Sequence, residues 1–146
     1  MNKKNNLSIS GILFSSLVLS APAHALNFTS ISHPNSNGVG TIYTVITGIN
    51  NNGKVVGYYT DNSYRYDGFM YNGTSFTDIK SPDSSQTFPY GINDHGDVSG
   101  YYFVNTGGSH GFIYNSTSFT DLNAPNAVYT YAFGINNNGD VVGYYI

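Results

Sequence analysis

The densest gathering of chemistry-bearing side chains is Asn93-Asp94-His95-Gly96-Asp97. Two carboxylates and an imidazole within five residues are the parts of a general base, or of a calcium loop that draws several carboxylates and carbonyls into one turn. The same stretch returns at residues 50–54 and 136–140 with at most one acid, so its Asn and Gly read first as turn residues. Ser99 lies four residues from His95, but a Ser-His-Asp triad is defined by geometry rather than inventory, and the chain holds no Glu. His33 and His110 stand alone in sequence, whereas a metal site needs several converging ligands. These residues predict no metal site, no cofactor and no enzyme.

Binding fits the residue types better. Tyr64-Arg65-Tyr66, Asn105 and His110 lie in stretches that differ most between otherwise matching parts of the chain. Aromatic faces beside convergent polar groups are what a sugar requires. These five are the candidate ligand-binding residues. The competing reading is a solvated loop whose tyrosines pack on their own sheet.

The chain that must position them has 146 residues, enough for one domain. Charged residues make up 9%, aromatics 16% with 14 Tyr and nine Phe, and Cys and Trp are absent. So few charges argue against long helices and coiled coils. A net charge of −3 with scattered bases argues against a nucleic-acid partner. Without Cys there is no disulfide scaffold.

Self-comparison organises everything after the first 25 residues. Gly48-Ile-Asn-Asn-Asn-Gly-Lys-Val-Val-Gly-Tyr-Tyr59 returns at Gly91 and again at Gly134, each 43 residues on. A second block, from Gly68 to Ile79, returns 43 residues later from Gly111 to Leu122. Repeat blocks therefore run over about 40–82, 83–125 and a partial 126–146, with 27–31 as a leading strand. Each full unit reads as four short strands. The first ends in Ile-Asn, and Gly48, Gly91 and Gly134 on it suit a close backbone approach. Asn50, Asn93 and Asn136, with Gly53, Gly96 and Gly139, supply the turn into the second. The second and third strands are apolar on both faces, at residues 55–59, 98–103, 141–146 and 68–71, 111–114. The Tyr58-Tyr59, Tyr101-Tyr102 and Tyr144-Tyr145 pairs are accordingly expected in the core.

A small sheet covered on both faces must stand between like sheets, which is the arrangement of propeller blades. The expected fold is all-β: tandem four-stranded repeats of about 43 residues forming a partial β-propeller. A β-trefoil or prism is the alternative. The last unit lacks its third and fourth strands. Residues 28–31 would supply the fourth. Ring closure would then fall to a homodimer, unless the chain is a truncated member of a longer repeat family.

Residues 1–25 read as a secretory signal peptide: Lys3 and Lys4, an apolar stretch from Ile9 to Leu19, then Ala23-His24-Ala25 as the cleavage site. That stretch is too short to span a bilayer, which takes about 20 residues. The 26–146 β-repeat domain is thus expected to be secreted, extracellular or periplasmic after cleavage near Ala25, with no membrane span.

The pattern Gly-Ile-Asn-x-x-Gly-x-Val-x-Gly, followed by Gly-Phe-x-Tyr and Phe-Thr-Asp-Leu, resembles the bacterial extracellular repeats called the HAF family. The match to the His-Ala-Phe stretch that names it is His110-Gly111-Phe112, with Asp67-Gly68-Phe69 in the earlier unit. The resemblance implies a secreted, propeller-like β-repeat protein and carries no catalytic residues over. Together these readings predict a non-catalytic binding or interaction module that recognises a glycan or a protein ligand. The alternative is a structural surface or matrix protein assembling through unpaired blade edges. A hydrolase comes last.

Overall fold

The computed structural model describes residues 16–20, 27–36, 43–61, 63–82 and 84–146. They form twelve strands and one short 3₁₀ turn, Pro34–Ser36. Strands β3 (Thr44–Ile49), β4 (Val55–Thr60), β5 (Tyr66–Tyr71) and β6 (Phe76–Ile79) make one antiparallel meander. Strands β7 (Ser84–Ile92), β8 (Val98–Val104), β9 (Ser109–Tyr114) and β10 (Phe119–Leu122) make the second. Strands β11 (Thr130–Ile135) and β12 (Val141–Tyr145) form a third sheet of two strands. Each full unit of the 43-residue period therefore folds as its own sheet.

The sheets stack face to face. The second strand of each four-stranded sheet is buried on both sides, as alternation demands: Val55 and Tyr59 on one face and Val56 on the other are all at or below 2% exposure. Val56, Met70 and Ile79 of the first sheet pack against Val98, Tyr102, Phe112 and Phe119 of the second. The first strands of neighbouring sheets approach closely. A Cβ on Gly48 would lie 2.6 Å from the Tyr90 carbonyl oxygen, and one on Gly91 would lie 2.9 Å from that of Phe133. Each first strand is bulged just before its glycine, at Thr47, Tyr90 and Phe133. The bulge turns the strand toward its neighbour.

The Ile-Asn turns lock the stack at one end. In each, the Asn side-chain oxygen accepts the backbone N–H four residues on, and Asn50 and Asn136 also accept the one two residues on. Gly53, Gly96 and Gly139 take φ of 75°, 95° and 85°. The amides then reach across the sheets. Asn50 Nδ2 donates to the Asn93 carbonyl, and Asn93 Nδ2 to that of Asn136. Asp94 accepts from the Asn51 backbone and side chain and from Asn137 Nδ2. These bonds, led by that from Asn137, hold its carboxyl below the usual carboxylate range. The Asn-Asp-His-Gly-Asp stretch is thus a hairpin turn that clamps three sheets.

Two expectations fail at the ends. Strand β2 (Asn27–Ile31) does not complete the third sheet; it pairs with β1 (Ser16–Ser20), inside the stretch read as a leader. Beyond β2, the His33 N–H donates to Thr44 Oγ1, as Ser81 and Ala124 donate to Thr87 and Thr130. That bond ties the leading strand to the first sheet rather than the last. The last Tyr-Tyr pair is not core either. Tyr144 and Tyr145 are 49% and 66% exposed, because among the described residues no strand pairs with the outer edge of β12 and no sheet covers it. Among the described residues, too, no helix is long and apolar enough to cross a membrane.

Candidate functional site

The link from β2 to β3, the turn from β4 to β5 and the end of β6 meet at one rim of the first sheet. They enclose a polar pocket of about 430 Å³, lined by Pro34, Asn35, Tyr59, Asp61, Ser63, Asp67 and Lys80. Antiparallel pairing explains the meeting of Asp67 and Lys80. Gly68 lies opposite Ile79, so the residues flanking that pair are cross-strand neighbours. Lys80 Nζ sits 2.8 Å from Asp67 and 3.4 Å from Asp78. Burial opposes the charged amine, but the Asp67 carboxylate and the Tyr59 hydroxyl outweigh it and hold Lys80 above the ordinary lysine value. The Tyr59 hydroxyl is 3.5 Å from both Asp78 oxygens. Burial raises its pKa first, and the Asp78 charge adds to that.

His33 stands behind Tyr59, outside the lining of the pocket itself. Its ring stacks on Tyr59 at 3.8 Å and meets Phe76 edge-on at 4.7 Å. Nδ1 accepts the Asn35 N–H at 3.3 Å, and Nε2 lies 3.2 Å from Asp78. An imidazole that accepts at Nδ1 and donates from Nε2 is the neutral form. Burial lowers the His33 pKa, against the pull of Asp78. The pocket thus offers one ammonium against the carboxylates of Asp61 and Asp67, with Asp78 3.4 Å from that ammonium. Its surplus negative charge disfavours anionic ligands and suits neutral groups rich in hydroxyls.

The five residues singled out in the sequence lie outside this pocket. Tyr64, at φ 58°, is exposed at the tip of the β4–β5 turn. Arg65 donates twice to the Ser85 carbonyl, at 2.9 and 3.2 Å, pinning its loop to the second sheet. Tyr66 is half-buried; its hydroxyl meets that of Tyr43, and its ring packs between Tyr43, Tyr58 and Phe88. Asn105 is exposed in the β8–β9 turn. His110 stands in the second sheet where Asp67 stands in the first, with Nδ1 3.2 Å from the Tyr102 hydroxyl and 3.5 Å from Asp121. The structure does not bring the five together. It does use the connection from second to third strand, in which Tyr64 and Arg65 lie, as one wall of the pocket.

Sequence reasoning missed Tyr59, Asp78 and Lys80 and named His33 only as a lone ring. The signal was present in the hairpin at Asn72-Gly73. Pairing outward from that turn places Asp67 opposite Lys80. No protein-family model, no curated protein and no solved structure matches this chain.

Proposed function

We propose that this protein is a secreted, non-catalytic binding module of the partial-propeller, HAF-repeat kind, and that the Lys80 pocket takes a neutral saccharide. One observation carries the ligand class. A charged amine, two carboxylates and a tyrosine residue line a concave rim where positive charge is outnumbered. Such donors and acceptors bracket vicinal hydroxyls, and hydrogen bonds to charged groups are the stronger ones. The propeller reading is supported by one meander per unit and by the contact of first strands through Gly48 and Gly91. Export is supported by the leader pattern, and sequencing the N-terminus of exported material is expected to begin at Leu26.

The test is a neutral-glycan array with purified protein, followed by calorimetry on wild type and Lys80→Ala. Loss of Lys80 is expected to weaken binding about tenfold or more, the scale of a charge-assisted hydrogen bond. A blank array from folded protein overturns the reading. A second reading, assembly into a surface structure, is favoured by the apolar face of β12, where Val142 and Ile146 are 68% and 70% exposed.

A further inference from the structure

Beside the Lys80 pocket lies a second hollow of about 470 Å³, between the outer strands of the first two sheets. Lys80 lines both. We infer that the two are subsites of one groove, and that the second takes a further ring of the same saccharide, laid against Phe119 and Tyr114. This inference rests on the saccharide reading of the first pocket.

The two sheets correspond position by position, and they differ at the link that precedes each. In the first, the link that precedes it places His33 on the sheet face, stacked on Tyr59 and edge-on to Phe76. In the second, the matching link carries Ser81, whose N–H makes the same bond to Thr87 that His33 makes to Thr44. Much of the sheet face is alike, although His110 stands where the first sheet has Asp67. Tyr71 and Phe76 pair at 4.6 Å, and Tyr114 and Phe119 pair at 4.8 Å. Tyr59 lies by Asp78, and Tyr102 donates to Asp121 at 2.8 Å. The second sheet thus keeps the aromatic wall but carries Ser81 where the first has the stacked His33 ring, its own His110 meeting Tyr102 only edge-on. The hollow lies at that wall, closed by Pro82 on one side and by Thr117 and Ser118 on the other. An apolar wall with hydroxyls and the Asp78 carboxylate at its rim fits a pyranose, which has apolar C–H faces and polar edges. Its distance from the first pocket is spanned by Lys80, whose amine already contacts Asp78.

The experiment is calorimetry with cello-, malto- and chito-oligosaccharides of increasing length, starting from the single sugar. Wild type is expected to gain about tenfold in affinity on going from one ring to two, as a buried ring-on-aromatic contact supplies. Ser81→His is expected to fill the hollow as His33 fills its own place, leaving single-sugar affinity unchanged and erasing the gain. Phe119→Leu keeps an apolar side chain for folding and should also reduce the gain. If single sugars bind wild type and length adds nothing, the second subsite is wrong while the first pocket stands. If Ser81→His, folded by circular dichroism, keeps the full gain, the second subsite is again wrong. If no saccharide of any length binds, the reading of the first pocket fails and takes this one with it.

Discussion

Burial, the Asn35 N–H and the nearby Lys80 charge keep the His33 imidazole uncharged, against the pull of Asp78, 3.2 Å away, and of Asp67. A histidine whose folded pKa lies below its ordinary 6.5 takes up its proton more readily when unfolded. Its contribution to stability is therefore present above about pH 6.5 and is lost as pH falls from there toward the folded value. The melting temperature is expected to drop between pH 7.5 and 5. His33→Phe keeps the stacked ring without the titration, so it should flatten that slope while costing about 1 kcal/mol for the lost Asp78 contact. A slope unchanged in His33→Phe would show that other groups set the pH response. At this scale the site was only partly legible. A lone His in a sequence suggests packing, and packing is what its ring does, but its partner Asp78 is 45 residues away and meets it only through tertiary folding. Tyr64 and Arg65 stood out because their loop varies between units. That variation reflects a loop anchored locally, by Arg65 on Ser85, as much as one open to a ligand.

Among the elements, the first strands set how closely the sheets stack. Gly48 has no room for a Cβ, since the obstacle at 2.6 Å is the Tyr90 backbone oxygen, which cannot swing aside. Gly134 holds the same place in the third sheet but faces only Val142 Cγ2, at 3.1 Å. Gly48→Ala is expected to destabilise by about 1–3 kcal/mol, as overpacking does. Gly134→Ala should be near neutral, because a flexible side chain can yield and Ala gains on Gly in strand entropy. Urea unfolding of both variants measures the contrast; equal losses would mean that the glycines act through local strand preference instead of sheet contact. The four-strand unit, its turns and the tight glycines were legible because they recur at a fixed spacing. The bulges at Thr47, Tyr90 and Phe133 were not. Thr, Tyr and Phe are good strand residues, and an extra residue in one strand shows only against the register of its partner.

For the molecule as a whole, identical strand sequences meet different fates at the two ends of the stack. Val56 in the first sheet is fully buried, while Val142 at the same repeat position is 68% exposed. Tyr59 and Tyr102 are buried; Tyr145 lies open over a hollow of about 350 Å³ between β12 and the link after β10. The alternation in sequence could not tell these copies apart, because burial there depends on whether another sheet follows. The face that β12 presents has the residues of the face that the first sheet buries against the second. Exposed apolar surface with an open strand edge favours association. Purified protein is therefore expected to self-associate between roughly micromolar and millimolar concentration, and Val142→Lys with Tyr144→Lys should shift it toward monomer while leaving the Lys80 pocket intact. Sedimentation velocity across that range separates the two functional readings. A defined dimer fits a binding module that closes its open sheet against a second copy, and mass that grows without limit fits a surface-forming protein. A monomer at every concentration would mean that neither the edge nor the face of β12 is adhesive, and the assembly reading would fall while the proposal for the Lys80 pocket, in the first sheet, kept its own test.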